Sequence, residues 1–394
     1  MKKVLVVSCY FQKNYGSALQ ALATQMALDK LGIENDTVRY DGLEDAIKTE
    51  KYKYYAKKLL NLNVVLGKMG YVKMRLRKKN PFSSLGKKLK RRDAAIKMFE
   101  KNFRLTSKVA DFDELAELAK GYDAVLLGSD QLWLPSNLDA NYYTLNWVPD
   151  TVKRITYATS FGLSTIPQSY YPMAEEFLNK IDFLSVREQT GVEIVKDVCG
   201  RTADLVCDPT ILFTGKEWMS IQQEEPLVDG DYIFCYFLGD NPEQREFVKR
   251  LKAQTGSKIA AILHLNVYVK TDKGFADEEL YEVDSAGFVN LIRNARYICT
   301  DSFHASVFSL LNQKEFFTFR RFKENYSLAT NSRLDTLLGS LCLEDRILSG
   351  YEDVHEVMTR KIDYMAVDAK LEEQRQYGWN YLKKATEEIG NAYT

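Results

Sequence analysis

Three histidines occur in the 394-residue chain, and His304 has the setting best suited to acid–base work. It follows Thr300-Asp301-Ser302-Phe303 at the start of an apolar run, so Ser302 or Asp301 would cap a helix whose first turn holds the imidazole. The free N–H groups and positive dipole end of such a turn favour an anion, and an anion bound there favours a charged ring beside it. A structural role in a loop is the plainer alternative. His264 and His355 lack this setting and read as structural or surface residues. Arg187, in Ser185-Val186-Arg187-Glu188, falls between a strand and a helix, where its guanidinium can grip a carboxylate or phosphate at two points. A salt bridge to Glu188 or another local acid is the alternative.

Other segments offer hydroxyl chemistry. Gly128-Ser129-Asp130 closes a strand with small and acidic groups, suited to hydrogen-bonding sugar hydroxyls or to taking a proton from one; for Asp130 a helix cap is the alternative. Trp133 nearby could stack on a sugar face or pack in a core. Ser160, in Ser160-Phe161-Gly162, would line the same place, and Asp208, ahead of Pro209, reads as a hinge brace before a substrate contact. Asn14-Tyr15-Gly16-Ser17 puts a glycine and a helix start after the first strand, which allows close ligand approach but does not make a dinucleotide-binding glycine fingerprint. The six cysteines show no metal-finger or C-x-x-C spacing and read as reduced thiols, pointing to the cytoplasm.

The elements that would position these groups alternate strand and helix, as a parallel sheet with crossover helices does. A first series has strands at Val4 to Cys9, Asp36 to Tyr40, Asp123 to Leu127, Arg154 to Ala158, Phe183 to Val186 and Ala203 to Cys207. Its helices include one striped by Leu19, Leu22, Met26 and Leu31, one at Asp113 to Lys120, and two near 170–180 and 188–197. A second series follows Asp208-Pro209, with strands at Tyr232 to Leu238, Lys258 to Leu263, Tyr297 to Thr300 and Phe316 to Phe319. Helices are expected at Pro242 to Thr255, Ser285 to Ala295, Ser302 to Leu311, and near 331–341 and 352–363. The expected division is an α/β unit at 1–207 interrupted by 48–108, a second at 208–363, and a helical segment at 364–394.

In this order, and with Cys207-Asp208-Pro209-Thr210 among them, the motifs resemble the polysaccharide pyruvyl transferase family from residue 4 to about 320. The resemblance implies two Rossmann-like domains in a glycosyltransferase-B-like arrangement with a cleft between them. It implies transfer of the pyruvyl group of phosphoenolpyruvate to a sugar of a polysaccharide precursor, as a cyclic ketal, without a metal or cofactor. His304 would then be the proton donor and Arg187 the donor anchor. Substrate contacts would come from Asn14, Tyr15, Gly16, Ser17, Gly128, Ser129, Asp130, Ser160, Glu188, Asp301, Ser302 and Phe303. Family members more often have glycine where Ala305 stands and threonine where Ser306 stands, a mild departure because both residues here are small. A sugar-nucleotide glycosyltransferase and a non-catalytic glycan-binding assembly protein are the alternatives.

Equal numbers of basic and acidic residues, 54 each, conceal a separation of charge. Residues 48–108 hold 20 lysines and arginines against three acids, a net +17, and the rest of the chain carries −17. Two apolar stripes run through this block, one on Tyr55, Leu59, Leu62, Leu66, Met69 and Leu76, the other on Phe82, Leu85, Leu89, Ile96, Phe99 and Phe103. Gly67, Gly70 and Asn80-Pro81 are expected to break it into at least two helices. A basic amphipathic block suits the inner face of an anionic membrane or a lipid-linked acceptor, with packing against the first unit as the alternative. No nucleic-acid-binding module is legible, and no stretch is long and apolar enough to span a bilayer, so a soluble or peripheral cytoplasmic protein is expected.

Overall fold

The computed structural model describes residues 2–57, 62–264, 267–321 and 332–389. The first sheet is built from β1 (Lys3–Val7), β2 (Glu34–Thr37), β3 (Ala124–Leu127) and β4 (Lys153–Thr156), all parallel in the order β2-β1-β3-β4. A short parallel pair, β5 (Ser185–Val186) and β6 (Asp204–Leu205), continues it through single bridges from Ile155 to Phe183 and from Thr159 to Val186. β1 from Val4 onward and all of β3 are apolar and buried, as a strand covered on both faces requires. β2, at the sheet edge, starts two residues earlier than expected because Glu34-Asn35-Asp36-Thr37 pairs with β1 despite its polar sequence.

α1 (Tyr15–Lys30) starts from a cap in which Asn14 Oδ1 accepts the Gly16 N–H at 2.9 Å. A single apolar stripe was expected here, but Tyr15 to Gln25 is buried all round because the helix lies between the two halves of the molecule. Several of its buried polar side chains bond the backbone: Gln20 and Thr24 donate to Ser17 and Gln20 carbonyls, and Gln25 bonds the backbone of Asn102 and Arg104.

The basic block contributes α2 (Glu44–Lys57), α3 (Leu62–Lys79) and α4 (Ser84–Met98). The break at Asn80-Pro81 is present, whereas α3 runs straight through Gly67 and Gly70. Gly70 serves instead as a close-packing point, its carbonyl accepting the Tyr268 N–H at 3.4 Å while Val267 fills the space a β-carbon would take. Leu89, Ile96, Phe99 and Phe103 are buried, but Phe82 and Leu76 are exposed, so neither stripe is wholly inward. The side chains of Tyr55, Leu59, Leu62, Leu66 and Met69 lie outside the described residues. The block also grips the second half of the molecule. Buried Arg92 donates to the carbonyls of Leu263 and His264 at 2.7 and 2.9 Å, and Lys88 and Arg91 pair with Glu279 and Glu282.

The rest of the first half adds α5 (Phe112–Ala119), a single turn α6 (Pro135–Leu138), α7 (Tyr171–Asn179), α8 (Gln189–Cys199) and, past the Pro209–Leu212 turn, α9 (Gly215–Trp218). The second sheet is also all parallel. It comprises β7 (Tyr232–Tyr236), β8 (Lys258–Ile262), β9 (Glu278–Leu280), β10 (Tyr297–Thr300), β11 (Glu315–Phe319) and β12 (Ile347–Leu348), in the order β9-β8-β7-β10-β11-β12. Its helices are α10 (Pro242–Thr255), α11 (Ser285–Asn294), α12 (Phe303–Leu311), α13 (Ser332–Ser340) and α14 (Val354–Thr359). α15 (Tyr364–Glu387) then returns to the first half, with Tyr381 donating to Thr156 O and Lys2 Nζ to Thr386 O. Two Rossmann-like α/β halves thus face each other in a glycosyltransferase-B-like arrangement, with the carboxyl ends of their central strands turned to the cleft between them.

Candidate functional site

Most of the chemically capable groups in the cleft lie at or just beyond the carboxyl end of a parallel strand. β1 leads to Asn14, Gly16 and Ser17; β3 to Ser129 and Asp130; β5 to Arg187; β6 to Asp208; and β10 to Ser302, Phe303 and His304. A polar cavity of about 370 Å³ opens between the halves, and Asn14, Ser17, Asp130, Ser302, Phe303 and His304 are in its wall.

His304 and Gly16 explain each other. Ser302, rather than Asp301, caps α12, accepting the Ala305 N–H at 3.4 Å, and this sets His304 in the first turn. The imidazole then lies directly against Gly16 of α1, so a β-carbon at position 16 would run into the ring. Its Nε2 approaches Asp208 at 3.5 Å, which brings a carboxylate of the first half to an imidazole of the second. Asp301 braces the neighbouring loop by accepting the N–H groups of Leu238 and Gly239 at 2.7 and 2.8 Å.

Asp208 is the electrostatic anchor. It accepts from Arg187 at 2.6 Å, from Ser129 at 3.0 Å and from both the N–H and hydroxyl of Thr210. Burial pushes its carboxyl up, but His304, Arg187 and Thr210 outweigh this and hold it well below the usual carboxylate range. Asp130 is treated the same way, burial being overcome by Arg187, His304 and Arg333, with Ser17 donating at 2.6 Å. Asp130 adopts a left-handed backbone at φ 87°, unusual for a residue with a β-carbon, and its Oδ1 accepts the next N–H, from Gln131.

Arg187 pairs with Asp208 and stands 3.6 Å from Asp130; Glu188 is not its ion-pair partner. The guanidinium lies over the Phe303 ring at 4.6 Å, and its Nε and Nη2 make no hydrogen bond among the described residues. Glu188 turns away from the cavity and holds the Ser160–Gly162 turn: its Oε1 accepts from Ser160 Oγ at 2.8 Å and from the N–H groups of Phe161 and Gly162. Ser160 is thereby engaged by Glu188 Oε1. Gly128 and Ser129 sit behind Asp130, and Tyr15 stacks on Phe288 at 5.1 Å, joining α1 to α11. Trp133 is a core residue, fully buried against Phe161 and Phe177 with its N–H on Tyr143 O, so it has no face free for a sugar.

The sequence reading missed Arg333 and Lys51. Arg333, in the first turn of α13, is buried in the cavity wall 3.8 Å from Asp130. Burial and repulsion from Arg187 pull its guanidinium well down, to about 9, while Asp130 opposes the change. Lys51 comes from the basic block, which therefore supplies part of the cavity wall instead of lying apart from the chemistry. Burial lowers its ammonium below the ordinary lysine value. A second, mostly apolar cavity of about 290 Å³ lies against Phe303, Arg187 and Arg333, bounded by Leu205, Ile211 and Tyr377. Among the described residues no cluster of three or more His, Cys, Asp or Glu side chains could hold a metal ion.

The model of the polysaccharide pyruvyl transferase family matches residues 14–321. Among curated proteins none matches the chain. Among solved structures it is similar to the UDP-GlcNAc 2-epimerase of Methanocaldococcus jannaschii, 12% identical over 98% of this chain and 100% of the other, with a TM-score of 0.50. The same epimerase in complex with UDP-GlcNAc and UDP is 14% identical over 98% and 100%, again at 0.50. The glycosyltransferase SnogD from Streptomyces nogalater is 12% identical over 98% of each chain, at 0.40. At these identities the likeness is one of fold alone.

Proposed function

The chain belongs to the polysaccharide pyruvyl transferase family and is a transferase, and we propose that it moves the pyruvyl group of phosphoenolpyruvate onto two hydroxyls of one sugar in a polysaccharide precursor. His304 gives a proton to the methylene carbon, making it a methyl group, while a sugar hydroxyl adds to the adjacent enol carbon and loses its own proton. The C–O bond to phosphate then breaks, the electron pair leaving with the phosphate. The second hydroxyl adds to the resulting oxocarbenium centre and loses its proton. One diol and one phosphoenolpyruvate become one cyclic ketal and one hydrogen phosphate. Having delivered its proton, the imidazole can take one from a hydroxyl.

Arg187 offers free N–H donors to the carboxylate or phosphate of the donor. Asp130, kept ionised by its cationic neighbours, is a weak base but a strong hydrogen-bond acceptor, which suits it to ordering the diol. The observation that carries this reading is the convergence of the His304 imidazole, the buried Arg333 guanidinium and the ionised Asp130 carboxylate on one polar cavity, with Arg187 beside Asp130. Phosphate release from phosphoenolpyruvate should depend on a sugar acceptor, and mass spectrometry should find the acceptor heavier by a pyruvyl ketal. No acceptor-dependent release, with thermal stabilisation by a nucleoside diphosphate only, would move the assignment to a glycosyltransferase. His304→Ala should lower turnover by about 10²- to 10⁴-fold; unchanged turnover removes the acid role.

The same reading extends to the acceptor. Among the described residues, no helix is long and apolar enough to cross a membrane. Among the described residues, half of the exposed large apolar side chains, namely Tyr52, Tyr71, Val72, Leu76, Phe82 and Met98, lie in the basic block. Apolar side chains set among lysines and arginines suit the surface of an anionic bilayer on the cytoplasmic side, where a lipid-linked capsular or exopolysaccharide precursor would present its sugar. Sedimentation with anionic vesicles at low salt tests this, and no co-sedimentation rejects it.

A further inference from the structure

Arg333 is a buried cation whose neighbours do not complete its hydrogen bonding. Its residue is 8% exposed, its Nη1 is 3.8 Å from Asp130, and among the described residues its Nε has no hydrogen-bond partner. Arg187 is in the same condition on the other side of Asp130, with Nη2 at 3.6 Å and neither Nε nor Nη2 bonded. Both separations exceed the 2.7–2.9 Å or so of a charge-assisted hydrogen bond. The Phe303 ring lies near both guanidinium groups, 4.6 Å from that of Arg187 and 5.6 Å from that of Arg333, and Phe303 and Arg333 both face the polar cavity. Asp130 is itself already served by Ser17 and Gln131. Unmet guanidinium donors held away from water at a polar cavity describe a site built for an anion that carries more oxygens than one carboxylate can offer.

We infer that Arg333 is a second anion-anchoring residue, holding the phosphate of the donor opposite Arg187 and raising the total of guanidinium groups at the donor site to two. This rests on the pyruvyl-transfer reading for the identity of the donor, and on the geometry alone for the anion. It assigns a binding role to a residue beyond the last motif legible in the sequence, outside residues 14–321. Asp130 keeps the two cations apart when the site is empty and competes weakly with the incoming anion.

Thermal melts and calorimetry of the full chain with phosphoenolpyruvate, and separately with inorganic phosphate, test this on wild type, Arg333→Gln and Arg333→Lys. Arg333→Gln should weaken phosphoenolpyruvate binding by about 10- to 100-fold and raise KM far more than it lowers kcat, with partial recovery in Arg333→Lys. If Arg333→Gln binds phosphoenolpyruvate as wild type does, the inference is wrong and the pyruvyl-transfer reading stands. If wild type ignores phosphoenolpyruvate but binds a nucleoside diphosphate, and Arg333→Gln loses that binding, the anchor stands and the donor reading fails. Should Arg333→Gln not fold, Asp130→Asn decides: relieved of the shared carboxylate, the guanidinium pair should bind inorganic phosphate more tightly, and unchanged or weaker binding overturns the proposal.

Discussion

Arg187 and Arg91 each meet a carboxylate, Asp208 at 2.6 Å and Glu282 at 3.1 Å, yet the side chains of the first pair are 2% and 0% exposed and those of the second 58% and 60%. The difference is one of solvent. On α4 water screens both charges, and such a pair contributes about 0–1 kcal/mol. In the cleft the same pairing is shut away from water, so each charge depends on its protein partners and losing one leaves the other stranded. The region with a net charge of +17 is therefore the less demanding electrostatically, while a handful of groups around Asp208 and Asp130 dominate the local energetics. Counting charges along the chain picks out the basic block, which lends Lys51 to the cavity wall, but leaves the water-excluded Arg187–Asp208 pair unseen.

The sharpest way to break this contrast is Asp208→Ala, which strands Arg187 and should cost about 3–5 kcal/mol in urea-unfolding free energy. A loss below 1 kcal/mol would mean that water reaches the pair. Gly16→Ala forces the His304 ring off its seat and should lower turnover by about 10²-fold through displacement of the proposed acid; full activity with unchanged folding would show that the ring has another productive position. Acid should also distinguish the two regions. Asp130 and Asp208 titrate lower in the folded chain than when unfolded, so the stability they contribute is complete above about pH 4 and disappears as pH falls through their folded values. Chemical denaturation from pH 6 to pH 2 should show this decline, with a shallower slope in Asp208→Asn. Smallest of all, Arg91→Ala should shift stability by no more than about 1 kcal/mol, and a larger shift would mean that α4 is more than a surface contact.

Much of the fold was legible because parallel strands and crossover helices leave strong local patterns. Pro242 to Thr255 and Tyr297 to Thr300 fall where expected, since a proline-led helix and a buried strand announce their own ends. Other features have no local signature. α1 is buried all round only because two halves enclose it, and β5 and β6 are two residues long because the sheet is fraying there into single bridges. At the site, Gly16 was singled out for close approach, but what approaches in this structure is a side chain of the chain itself. Asp208 was read as a brace, which its bonds to Arg187, Ser129 and Thr210 make it, yet its contact with His304 is tertiary. Arg333 follows no turn or motif that would mark it, and only folding brings it to Asp130.

The seating of His304 on Gly16 also sets a coincidence requirement. The proposed acid belongs to one half, and its backing surface, Arg187 and Asp130 belong to the other. Arg333 stands on the same half as His304, so the acid and the complete pair of guanidinium groups come together only where the two halves meet. The prediction is that activity is lost in mild denaturant before the bulk of the secondary structure is, because apposition of the halves, rather than either half's core, is what the chemistry needs first.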